Sequence, residues 1–235
     1  MVRLASWFAL VTLLSSSAPV AAKCAMSHLR PKPITTGPVV AGGGIVVATE
    51  EVSYDVADQG DAIQPTWQFA IGGTKSKPKI ELLAPGLVVY RLPTTTASAS
   101  VKLVAGKTTF ATATLSNAKP TALAAPKVTA VRHDRTLGRG SSAYTRVTLD
   151  GAPPAGMVAL VLADAKGTPR SFGLIADASN EITVYAHSRC GVVPNNTVES
   201  SVGDKVTLVW VDQSGRMSPA SKILTVTGKT DGGDE

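Results

Sequence analysis

The stretch Val206-Thr-Leu-Val-Trp-Val-Asp-Gln-Ser-Gly-Arg-Met-Ser-Pro-Ala-Ser-Lys-Ile-Leu-Thr-Val-Thr227 decides how this chain is read. Side chains alternate across an extended strand, so Val206, Leu208 and Trp210 share one face. Gln213-Ser-Gly-Arg216 reads as a turn, with Gly215 supplying a positive φ at little steric cost. Ser218-Pro219-Ala220-Ser221 leads into a second run, Ile223 to Thr227. β-branched residues dominate both runs, and neither carries the 3.6-residue period of a helix.

The same texture extends outward. Runs of this kind, broken by Gly, Pro, Asn or Asp, fall near 44–49, 53–56, 66–71, 79–83, 87–92, 99–104 and 108–115 in the first half. In the second half they fall near 127–133, 143–149, 157–162, 170–175, 181–187, 205–211 and 222–227. Strands at this spacing predict an all-β chain of two small sandwiches. The proline-punctuated stretch 117–126 separates them as a short semi-rigid linker, giving domains over 23–116 and 127–228. Residues 23–44 carry Pro31, Pro33 and Pro38 and read as an extended lead-in. The acidic tail 229–235 has no apolar residue to bury and is expected to be disordered.

The N-terminus sets the compartment. Arg3, the apolar run Leu4 to Leu14 and the small residues Val20-Ala21-Ala22 form a secretory signal peptide over 1–22. The apolar run is well short of the roughly 20 residues that span a bilayer as a helix, so no transmembrane anchor is expected. A secreted or periplasmic setting follows. Lys23 precedes Cys24 where a lipoprotein cysteine requires a small residue, which argues against a lipid anchor. Cys24 and Cys190, the chain's two cysteines, are expected to form one disulfide in an oxidising compartment. Such a bond is worth up to about 5 kcal/mol in the chain-entropy model and ties the N-terminus to the second domain. Free thiols, or a bond from Cys24 to another molecule, remain alternatives.

The stretch 206–227 resembles the last two strands of fibronectin type III and related immunoglobulin-like domains of secreted bacterial proteins. Trp210-Val211-Asp212, the turn Gln213 to Arg216, the lead-in Ser218 to Ser221 and the strand Ile223 to Thr227 carry the resemblance. Leu208 stands where many of those domains have a Tyr nearby. Pro38-Val39-Val40, the strand Gly44 to Val47 and the turn Pro85-Gly86-Leu87 resemble bacterial immunoglobulin-like modules more generally. The resemblance implies two tandem immunoglobulin-like, fibronectin III-like sandwiches and an extracellular setting; a fold of this kind specifies no ligand.

Candidate sites are few. With 23 Lys and Arg against 17 Asp and Glu, the formal net charge is +6, but the cations are scattered along the chain, unlike those of a nucleic-acid binder. His28, His133 and His187 are too dispersed for a metal site, and Cys-x-x-Cys is absent. Strand alternation places Tyr185 and His187 opposite Ile182 and Val184. An outward Tyr185 is then positioned to stack on a sugar ring or a partner surface, the plainer reading being cross-strand packing. Arg132, Arg135 and Arg139 surround His133 in a Gly-punctuated loop suited to an anionic glycan or phosphate; otherwise the loop is simply solvated, with Asp134 answering one charge. Gly138-Arg-Gly-Ser-Ser142 lacks the residues and following helix of a phosphate loop. Asp150, Asp164, Asp177 and Glu181 sit where turns use them. No cofactor is implied. These features describe a non-enzymatic structural, adhesion or protein-interaction module. The alternatives are a cell-envelope glycan-binding protein and an enzyme with a site in the interdomain groove.

Overall fold

The computed structural model describes residues 27–40, 42–53, 67–93, 100–136, 142–188 and 199–231. All regular structure among them is β. Nine strands build an N-terminal sandwich: β1 (Ser27–Pro33), β2 (Val39–Val40), β3 (Gly44–Ser53), β4 (Gln68–Ile71), β5 (Thr74–Ser76), β6 (Lys79–Ala84), β7 (Leu87–Arg91), β8 (Ser100–Ala105) and β9 (Thr108–Ser116). One sheet has the order β1-β3-β7-β6 and the other β2-β9-β8-β4-β5. Leaving aside the short β2 and β5, the strands in chain order pair as first-second-fifth-fourth and third-sixth-seventh, the order of an immunoglobulin sandwich. Ile45, Val47, Trp67, Phe69, Val101 and Leu103 fill the space between the sheets.

Eight more strands build the C-terminal sandwich: β10 (Val128–Thr136), β11 (Ser142–Leu149), β12 (Met157–Asp164), β13 (Pro169–Leu174), β14 (Glu181–Ser188), β15 (Lys205–Asp212), β16 (Leu224–Thr225) and β17 (Thr227–Asp231). Its sheets run β14-β11-β10-β17 and β13-β12-β15-β16. Between them pack Val131, Val147, Leu160, Leu162, Val206, Leu208 and Trp210. The face read from the sequence as Val206, Leu208 and Trp210 is therefore a core face.

Three stretches differ from expectation. The lead-in supplies two strands: β1 pairs antiparallel with β3 from Ser27↔Ser53 to Pro33↔Val47, and β2 pairs parallel with β9. Pro31 and Pro33 are tolerated because β1 is an edge strand, whose outer N–H row needs no partner. The expected last strand splits. β16 pairs with β15, then the chain crosses to the other sheet and β17 pairs parallel with β10, from Arg132↔Thr227 to Thr136↔Asp231. At the crossing Gly228 has φ of 140°, and a Cβ there would strike the His133 carbonyl oxygen, so only glycine lets the two strands close up. Lys229 to Asp231 thus belong to a strand rather than to the tail; residues 232–235 lie outside the described residues. So do residues 1–22, the run expected at 54–56 beyond Ser53, and both cysteines.

Candidate binding face and the interdomain seam

β3 and β12 are buried on both faces. Ile45 and Val47 enter the N-terminal core while Val46 and Ala48 point away from it; Leu160 and Leu162 enter the C-terminal core while Ala159 and Val161 point away. The outward sets meet. Val46, Ala48, Leu83, Ala84, Leu87 and Val89 of the first sandwich pack with Ala159, Val161 and Val211 of the second, with Val158, Phe172 and Ile34 at the margin. The four sheets thus stack in layers around three apolar clusters.

The turn between Asp212 and Arg216 pegs this seam. Inside the turn, Asp212 Oδ1 accepts from the Ser214 and Arg216 amides, each at 2.9 Å. Its Oδ2 accepts from Arg216 Nε at 2.7 Å. Across the seam, the Thr35 hydroxyl donates to the Gln213 carbonyl (2.8 Å), the Gly44 amide donates to the Ser214 carbonyl (2.9 Å), and the Val40 amide donates to Ser214 Oγ (3.1 Å). Arg216 Nη1 donates to the carbonyl of Thr121 in the strand-free connection between the sandwiches, at 2.8 Å. Gly215 has φ of 71°, and a Cβ on it would meet Val89 Cγ2 at 2.5 Å. The turn recognised in the sequence therefore also joins the two sandwiches.

With two sheet faces consumed by the seam, the outer face of β14-β11-β10-β17 stays open. Register puts Arg132 directly opposite Arg146 and Asp134 opposite Tyr144. Asp134 accepts from Arg132 Nε at 2.8 and 2.9 Å, and that guanidinium holds its carboxyl below the usual carboxylate range. Arg146 Nε lies 3.8 Å from Glu181, and its guanidinium carbon sits 5.7 Å from the centroid of the Tyr144 ring. Tyr144 is 36% exposed. Lys229, on β17, is the partner of Asp134 on the other side.

Of the residues expected to form one basic and aromatic patch, Arg132 stands apart, while Arg135 and Tyr185 lie near Glu199 and within reach of each other's charge. Arg132 and Arg135 lie in strand β10 rather than in a loop, and their odd spacing sends them to opposite faces of the sheet. Arg132 reaches the open face; Arg135 leans over the sandwich end, 3.8 Å from Glu199. Arg139 lies outside the described residues. His187 is the backbone partner of Ala143 near the end of β14.

Tyr185 is not outward: it is 8% exposed. A bulge explains this. Thr145 pairs with Tyr185 and Arg146 with Thr183, so Val184 is an extra residue in β14 and the alternation changes phase there. Val184 and Tyr185 are both buried as a result. Tyr185 joins a polar cluster that the sequence did not announce. The His133 ring is buried, shares a hydrogen bond of 2.8 Å with Thr145 through Nδ1, and places Nε2 3.0 Å from Glu199 Oε1 without hydrogen-bond alignment. Burial pushes the Tyr185 hydroxyl up, and the charge of Glu199 adds to the effect. Thr145 is fully buried, so this Thr-His-Glu arrangement offers no nucleophile to a substrate. Tyr144 is the aromatic the sequence reading passed over. The alternation Ala143-Tyr-Thr-Arg-Val147, apolar or small inward and large polar outward, was the signal that marks it.

No family model and no curated protein matches the chain. Solved structures similar to it include the Bacteroides ovatus mixed-linkage glucan utilization locus SGBP-B in complex with a mixed-linkage heptasaccharide, at 13% identity and a TM-score of 0.24, covering 86% of this chain and 46% of that one. A biofilm associated protein BSP domain is similar at 12% identity and a TM-score of 0.26, covering 84% and 29%. The Yersinia pseudotuberculosis adhesin InvE is similar at 18% identity and a TM-score of 0.18, covering 85% and 58%. The chain thus spans between 29% and 58% of the length of these structures. Overlap of this order leaves the reading of the chain to its own strand order and side chains.

Proposed function

We propose that the chain is a non-enzymatic adhesion or protein-interaction module of an exported protein, working in the periplasm or outside the cell as a single rigid body. The seam carries this reading. The space between the sandwiches, where an interdomain catalytic groove would lie, is filled by Val46, Leu83, Val89, Val161 and Val211 and closed by the Asp212 to Arg216 turn. What a molecule built this way offers to its surroundings is flat sheet surface held at a fixed angle, which suits binding rather than turnover. The apolar run and small-residue site within residues 1–22 support export. The second reading, a binder of cell-envelope glycan, is favoured by Tyr144 beside the facing pair Arg132 and Arg146 on the open face.

Beads coated with the purified chain, incubated with host cells and with isolated envelope fractions, test the module reading. Retention on cells that is competed by soluble chain is the expected result. Failure to bind cells or any envelope fraction overturns it.

A further inference from the structure

We propose that the open face of β14-β11-β10-β17 is a subsite for an acidic polysaccharide, with Arg132 and Arg146 gripping the sugar's carboxylate or sulfate and Tyr144 supporting its ring. This rests on the reading of the chain as a binding module and names what one of its faces binds.

The main observation is a like-charge pair. Arg132 and Arg146 are direct cross-strand neighbours, a placement that brings their Cβ atoms to within about 5 Å and destabilises a sheet unless the charge is answered. Asp134 takes its hydrogen bonds from the Nε edge of Arg132 and also feels the charge of Arg146, while no hydrogen bond to either terminal nitrogen of Arg132 is present among the described residues. Among the described residues the carboxylate nearest Arg146 is Glu181, at 3.8 Å. The two side chains are 57% and 48% exposed. One anionic group seated between the forks would take charge-assisted hydrogen bonds from both and relieve the repulsion.

Tyr144 selects the class of anion. Its exposed ring lies on the same face, with the Arg146 guanidinium 5.7 Å from its centroid. A sugar ring has an apolar C–H face for the tyrosine and an acidic substituent for the arginines, whereas an acidic peptide uses the arginines alone. Asp134 and Glu181 on this face disfavour a densely charged polyphosphate, while a polyuronide carries one carboxylate per ring. A sheet face fits an extended polymer laid across the strands.

The test is affinity electrophoresis and calorimetry of the full exported chain with polygalacturonate, with neutral dextran and polyglutamate as comparison probes. Polygalacturonate is expected to retard the wild-type chain, dextran to leave it unretarded, and polyglutamate to bind at least tenfold more weakly. The double variant Arg132→Gln with Arg146→Gln should lose at least tenfold in polygalacturonate affinity while its melt stays cooperative and its midpoint close to that of the wild-type chain, relief of the repulsion offsetting the lost Arg132–Asp134 hydrogen bonds. Tyr144→Ala should weaken binding several-fold with an unchanged salt slope. Unchanged binding by the double variant, or equal affinity for polyglutamate, overturns the proposal. If coated beads still hold host cells while polygalacturonate fails to bind, the subsite is wrong and the module reading stands; loss of bead retention overturns the module reading itself.

Discussion

At the residue scale, Gly215 is the position where a single methyl group should matter most. Its backbone is left-handed, and the methyl would press on Val89 at the centre of the seam. Gly215→Ala should cost about 3 kcal/mol, combining overpacking with backbone strain, measurable by urea unfolding. Asp212 is similarly placed: its buried carboxylate ties two turn amides and Arg216 together. Asp212→Ala leaves those donors unmet and should cost about 3–5 kcal/mol by the same measurement. A loss below about 1 kcal/mol in either variant would mean that the turn bears little of the structure. Two exposed carboxyls set part of the acid response. Glu81 and Asp134 sit below the usual carboxylate range because Arg91 and Arg132 donate hydrogen bonds to them. A depressed carboxyl contributes stability that is present above its unfolded value, about 4, and is lost as pH falls through the lower folded value. Urea melts should therefore show this contribution unchanged above about pH 5 and fading below about pH 4, by a smaller amount in an Arg91→Gln, Arg132→Gln variant. A wild-type chain that gains stability on acidification would contradict the pairing.

At the scale of elements, the positions of most strands were legible, because β-branched runs cut by Gly, Pro and Asp leave few other conformations. The faces were less so. Tyr185 was misplaced because one bulge residue, Val184, shifts the alternation, and a bulge leaves no residue-type signature in Thr183-Val-Tyr185. Arg132 and Arg135 were grouped by nearness in sequence, although their spacing within a strand separates them. The pairing of β17 with β10 was illegible for a different reason: Thr227-Gly-Lys-Thr-Asp231 has almost nothing apolar, and its strand is held by backbone hydrogen bonds to β10 rather than by burial. Hydrogen exchange gives the check. Amides in Lys229 to Asp231 that bond to β10 should exchange far more slowly than unstructured chain; exchange at the unstructured rate would show that β17 does not form.

For the whole molecule, the apolar runs Ile45-Val-Val-Ala48 and Val158-Ala-Leu-Val-Leu-Ala163 carried a signal that one face of alternation cannot explain. Continuous apolar strands are buried on both sides. That such strands need a second partner is legible; which surfaces become partners is not, because the seam joins β3, β6 and β7 to β12, β13 and β15 across long stretches of chain. The seam removes apolar surface of both sandwiches from water, so neither is expected to keep its native stability when the other unfolds. Differential scanning calorimetry of the full chain tests this coupling most directly, with Gly215→Val as the comparison. The account predicts one transition whose calorimetric and van't Hoff enthalpies agree, splitting into two or moving sharply downward in the variant. Two independent transitions in the wild-type chain, unaltered by the variant, would contradict it.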